Sequence, residues 1–168
     1  TQTPTPSPPP PQVTQTPTPS PPPPQVTQTI YNYCVGNDIC LTINNHIKSD
    51  KVFDVIMGNN VEVASFTFDI IGINIVSVNG GLLYNNEYEI KYPSQDSLEL
   101  AWDDKGVGYY TAKEFQAYSL KGKLIQPTNG ILATIKYSGI AKKICINASI
   151  VGKDAKLLNT KNPECIYL

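Results

Sequence analysis

The chain has 168 residues, with thirteen lysines against fourteen acidic residues, a single histidine and a formal net charge of −1. Arginine is absent and no lysine cluster compensates for it, so the forks that grip phosphate bidentately are missing and nucleic-acid binding is excluded. No apolar run approaches the roughly 20 residues of a membrane span.

The first 26 residues are a 13-residue unit, TQTPTPSPPPPQV, written twice without change; Thr27, Gln28 and Thr29 begin a third copy. Its prolines are Pro4, Pro6, Pro8, Pro9, Pro10 and Pro11, then Pro17, Pro19, Pro21, Pro22, Pro23 and Pro24. Each fixes φ near −65° and pushes the residue before it towards extended backbone, so the pattern predicts a polyproline II rod. At about 3.1 Å per residue one unit spans roughly 40 Å. Apart from Val13 and Val26 the rod has nothing apolar to bury, and it carries neither charge nor aromatic ring. It does carry hydroxyls, at Thr1, Thr3, Thr5 and Ser7 and again at Thr14, Thr16, Thr18 and Ser20. Three readings stand side by side: a semi-rigid linker, an O-glycosylated stalk, and a PxxP ligand, the last lacking the usual basic neighbour. The chain starts on a repeat with no leader, which reads as a mature or partial chain with further sequence upstream.

The blocks Ser7-Pro8-Pro9-Pro10-Pro11 and Ser20-Pro21-Pro22-Pro23-Pro24 resemble the Ser-Pro4 blocks of extensins and other hydroxyproline-rich wall glycoproteins of plants and green algae. The resemblance implies hydroxylation of these prolines and covalent glycans on hydroxyproline and serine.

Residues 30–168 have the size of one ordinary domain. Cys34, Cys40, Cys145 and Cys165 include no CxxC, and His46 alone completes no zinc set, so no metal site is expected. Two disulfides suit a chain with a secreted type of stalk. Of three connectivities, Cys34–Cys40 with Cys145–Cys165 is favoured because both close local loops; four buried thiols is the alternative.

In chain order, strands are expected over 40–43 and 52–57, the latter stopped by Gly58-Asn59-Asn60. A longer strand over 61–70 has Val61, Val63, Phe66, Phe68 and Ile70 nearly on one face, with a phase slip near Ala64-Ser65 that predicts a bulge. Further strands are expected over 73–78, 88–92, 98–102, 130–137 and 144–151. Thr111–Leu120 opens on a Thr-x-x-Glu capping pattern and is expected to form a helical turn or two. Eight or nine short strands predict an all-β antiparallel sandwich or jelly roll.

The runs VEVASFTFDIIGINIVSVNGG, IQPTNGILATIKY and KKICINASIVGKDAKLL resemble the cohesin-like β-sandwich family, through Phe66, Phe68, Asp69, Gly80, Gly81, Pro127 and Gly130. The segment from Asp103 to Lys123 departs from that pattern as an insertion. The resemblance implies a noncatalytic module that holds proteins together or binds carbohydrate.

Little else carries chemistry. His46 falls in the polar stretch 44–50, read as an exposed loop, with no nucleophile-elbow pattern. Asp103-Asp104 reads as a turn rather than a glycosidase acid pair. Asp54, Glu62 and Asp69 lack EF-hand spacing for calcium. Trp102, Tyr109 and Tyr110 are candidates for a sugar-stacking platform. Asn147-Ala148-Ser149 is an N-glycosylation sequon, and alternation points Asn147 to solvent. The expected function is a noncatalytic extracellular structural glycoprotein, whose copies join into a glycan-coated fibril through the sandwich and the Pro-rich segment. The alternative is a protein- or carbohydrate-binding module on a passive stalk. Partners are copies of the chain and glycans; no cofactor is expected.

Overall fold

The computed structural model describes residues 34–92, 99–102, 106, 108–139 and 142–168. The expected rod over 1–29 and the Asp103-Asp104 turn lie outside them. The elements are β1 (Ile39–Ile47), β2 (Val52–Asn59), β3 (Val63–Ile71), β4 (Asn74–Asn79), α1 (Gly81–Asn85), β5 (Glu89–Lys91) and β6 (Glu99–Trp102). They continue with β7 (Gly108–Thr111), β8 (Glu114–Tyr118), β9 (Thr128–Ser138), β10 (Lys143–Gly152), β11 (Thr160–Lys161) and β12 (Ile166–Tyr167). One five-stranded sheet runs β11-β1-β2-β9-β4, the other β12-β10-β3-β8-β5, and β6 and β7 form a separate ribbon. All pairings are antiparallel except β1 with β11. The chain is an all-β sandwich, as its alternation predicts.

Period-2 burial makes the core. Along β3, Phe66, Phe68 and Ile70 are buried while Thr67, Asp69 and Ile71 face water. Val151 pairs with Ser65 and Gly152 with Val63, so Ala64 is the extra residue and the expected bulge is present. Phe68 stacks on Phe66 and on Phe115 at centroid distances of 5.8 and 4.8 Å. Tyr88 meets Phe66 edge-on and donates its hydroxyl to Val63 O (2.9 Å), while burial pushes its pKa up to about 12. The facing sheet contributes Ile39, Leu41, Phe53, Val55, Met57 and Ile135. Each large side chain fully buried contributes about 1.5–3 kcal/mol.

The helical turn expected over 111–120 is a strand. Phe115 and Ala117 are buried while Glu114 and Gln116 are exposed, which is period 2. Pairing with β3 on one side and β5 on the other overrides the Thr-x-x-Glu capping pattern. Part of the supposed insertion is therefore an interior strand of its sheet. The helix lies instead at α1, where Leu83 is buried. Gly81 adopts φ 63° there, and a Cβ would strike the carbonyl oxygens of Ile131 and Leu132.

Both favoured disulfides are present, Cys34–Cys40 and Cys145–Cys165, with Cα separations of 5.6 and 4.3 Å. The first pins the approach to β1. The second ties the start of β10 to the residue before β12. Among the described residues no helix is long and apolar enough to cross a membrane.

Candidate interaction edge

Part of the edge of β1 is uncovered among the described strands. β11 pairs with β1 only at Ile39 and Cys40. The chain then leaves, and Asn162 accepts the Ala148 N–H through its side chain (2.9 Å), crossing to the other sheet. From Leu41 to Ile47 no described strand lies on that side of β1.

The ladder determines which groups face outward. Asn60 N–H donates to Asp38 O (2.9 Å), so Asp38, Cys40, Thr42 and Asn44 turn their backbone groups towards β2. Ile39, Leu41 and Ile43 turn theirs the other way, and Ile39 N–H accordingly donates to Asn159 O (3.1 Å). The parallel ladder then takes the Leu41 N–H to the Lys161 carbonyl, and past that point the Leu41 C=O and the N–H and C=O of Ile43 have no strand beside them among the described residues. Native sheets usually blunt such edges with lysine, proline, bulges or covering loops. Leu41-Thr42-Ile43-Asn44 has no charge and no proline; the run ends only at the irregularity between Asn44 and Ile47, where Asn45 takes φ 49°.

Several other edges are partly covered or short. Along β10, Gly152 N–H donates to Lys156 O, Leu158 N–H to Ile150 O, and β12 covers Lys143 and Ile144. Ile75 of β4 exchanges hydrogen bonds with Ala112. β5 has three residues, with Glu89 and Lys91 exposed.

Behind the open edge the strand is well anchored. Asn45 Nδ2 donates to Asp54 Oδ2 (2.8 Å) and Thr134 Oγ1 to Asp54 Oδ1 (2.6 Å), joining β1, β2 and β9. His46 is not a loop residue: it sits within β1, half-buried, with Nε2 at 2.8 Å from the Tyr137 hydroxyl and its ring stacked on Tyr137. Burial raises the Tyr137 hydroxyl pKa above its ordinary value. Ile47, at 47% exposure, and Ile131, at 41%, leave apolar surface beside the polar row.

The remaining sequence candidates are dispersed. Asp54 is committed to Asn45 and Thr134; Glu62 is held below its usual range by Lys153 and Gln126; Asp69 lies on the opposite sheet. Asn147 is exposed on β10, opposite Asp69. The ribbon register sets Trp102 against Gly108, Ala101 against Tyr109 and Leu100 against Tyr110; the three aromatic side chains lie outside what the structure describes. A shallow cavity of about 510 Å³ lies beside Asp69, Asn74, Lys113 and Ser138. The buried Ser138 hydroxyl has no partner. The sequence reading missed the outer half of β1, because Asn44, Asn45 and His46 look like a loop. The spacing of Ile43, Asn45 and Ile47 was the only signal for a continuing strand.

No family model and no curated protein sequence matches the chain. Solved structures similar to it include a non-cellulosomal cohesin from Archaeoglobus fulgidus, at 12% identity over 75% of this chain and 86% of that one, TM-score 0.47. Another is a chain of a CaDoc0917–CaCohA2 complex, at 12% identity over 76% and 95%, TM-score 0.41. A third is the cohesin module of a Clostridium perfringens family 33 glycoside hydrolase, at 14% identity over 76% and 98%, TM-score 0.34. The sandwich itself rests on its own two sheets.

Proposed function

We propose that the chain is a noncatalytic extracellular assembly module, in which the sandwich joins copies into a surface fibril and the Pro-rich segment carries covalent glycans. The observation that carries this reading is the part of the β1 edge from the Leu41 carbonyl to Asn44 that no described strand covers. An edge of that kind is suited to strand addition by an extended segment. A contact between two different surfaces, repeated head to tail, builds a filament unless its rotation closes a ring. The two disulfides suit a secreted chain. The hydroxyls of the repeat and exposed Asn147 supply glycan acceptors.

The test compares the full chain with a variant lacking residues 1–29, by light scattering and negative-stain microscopy across a concentration series. Concentration-dependent growth of the full chain, lost on deletion, is the expected result. Growth that persists after deletion would remove the Pro-rich segment from the contact. A full chain that stays single at every concentration would overturn assembly.

A second reading, a carbohydrate-binding module on a passive stalk, draws on the Ser138 cavity and on Trp102, Tyr109 and Tyr110. It requires saturable glycan-array binding by a non-assembling chain, lost in Trp102→Ala.

A further inference from the structure

Which segment fills the β1 edge follows from matching the edge's hydrogen-bond spacing to the repeat, and this step rests on the assembly proposed above. We propose that the Thr-Pro run of a second copy, Thr14–Pro19 or its equal Thr1–Pro6, adds as one further strand beside Leu41–Asn44.

The edge makes a periodic demand. The outward groups left to an added strand are the Leu41 C=O and the N–H and C=O of Ile43, two carbonyls spaced two residues apart, so that strand needs N–H donors on every second residue and none between. In Thr14-Gln15-Thr16-Pro17-Thr18-Pro19, the threonines have N–H groups at this spacing. Pro17 and Pro19 fall where an N–H would point away from the sheet, the position an edge strand allows proline. Thr1, Thr3 and Thr5, with Pro4 and Pro6, repeat the arrangement. The Ser-Pro4 blocks do not qualify, since Pro8–Pro11 and Pro21–Pro24 remove consecutive donors.

Three further features fit the same occupant. A residue before proline is already biased to extended backbone, so Thr16 and Thr18 lose little freedom on docking. Neither the run nor Leu41–Asn44 carries charge, so no ionic group is desolvated. Once docked, the run turns its prolines to the new outer edge, and growth of the sheet stops after one strand. Each chain has two such runs and one open β1 edge.

The experiment is residue-resolved amide hydrogen exchange on the full chain, with particle mass measured on the same samples. One variant removes the donors through Thr3→Pro, Thr5→Pro, Thr16→Pro and Thr18→Pro. A control keeps them through Pro4→Ala, Pro6→Ala, Pro17→Ala and Pro19→Ala. All eight positions lie outside the described residues, so neither variant removes a side chain of the core they form. At concentrations where multimers form, the Ile43 amide of the wild type and the control should exchange at least about 10-fold more slowly than that of the threonine variant. Equal rates in all three proteins would overturn the proposal, as would slow exchange in the threonine variant, which would assign the edge to another segment such as the proline-free residues 25–33. Concentration-independent protection would mean docking within one chain and would also overturn it. Multimers with a fast-exchanging Ile43 amide would leave assembly standing and remove this mode of contact. Single chains throughout would remove both.

Discussion

Cutting the Cys145–Cys165 disulfide isolates one staple of the sandwich. It joins the first turnward residues of β10 to the tail just before β12, across a separation of 20 residues. The chain-entropy relation for a loop of that size gives about 3 kcal/mol, against about 2 kcal/mol for Cys34–Cys40, whose separation is 6. Cys145→Ala with Cys165→Ala should therefore lower stability by about 3 kcal/mol. With a urea m-value of about 1.5 kcal/mol/M, the midpoint falls by about 2 M. Far-UV circular dichroism reads the transition, and the Cys34→Ala, Cys40→Ala pair provides the internal comparison. A local consequence follows from the same geometry. β12 holds only two ladder positions, Lys143–Tyr167 and Ile144–Ile166, so without the staple it frays and uncovers the start of β10. Amides at 166–168 should then lose protection before those of β3. A loss below about 1 kcal/mol, or a larger loss for the Cys34–Cys40 pair, would refute the loop-entropy reasoning.

Three other perturbations bear on the fold. Phe68→Ala removes a ring stacked between Phe66 and Phe115 and should cost about 3–5 kcal/mol, measured by the same urea titration. Gly72→Ala places a Cβ against the Lys143 carbonyl at φ 98° and should cost more than the about 1–3 kcal/mol of backbone strain alone, whereas Gly36→Ala, at φ 75° with open space around it, should cost only that strain. Hydrogen bonds from Lys121 and then Lys123 hold the Glu87 carboxyl down at about 2. Its folded value lies below its unfolded one, so its contribution is present above about pH 4 and is lost as pH falls towards 2. An NMR titration of the Glu87 side chain checks this, and high salt should shrink the shift because the group is exposed.

The strand content was legible because β3 alternates on either side of its bulge, the runs over 130–137 and 144–151 are rich in β-branched and aromatic residues, and the turns carry glycine and asparagine. Local loop closure was enough to favour the observed disulfide pairs. Where the sequence reading failed, tertiary pairing decided the outcome. Residues 114–118 have a capping signature in isolation, yet Phe115 and Ala117 fill the core only as a strand. α1 follows a Gly-Gly turn that reads as a hairpin signal, and only the close approach of Gly81 to β9 shows why the chain coils there. The open edge was not legible at all. Asn44, Asn45 and His46 are polar because they meet Asp54, Tyr137 and solvent, and their role as strand residues depends on a β2 register that no local pattern encodes. That β11 ends after two residues is equally a property of the whole tail, drawn across to β10 by Asn162 and Cys165.

Ile43→Pro tests the central claim most directly. The Ile43 N–H points out of the sheet, so proline there leaves the β1–β2 ladder its hydrogen bonds while removing a donor from the open edge. Sedimentation velocity of the full chain and this variant, each first shown by its urea midpoint to be folded, gives the answer. The account predicts concentration-dependent growth for the wild type and single chains for Ile43→Pro. A folded Ile43→Pro chain that assembles like the wild type would contradict it.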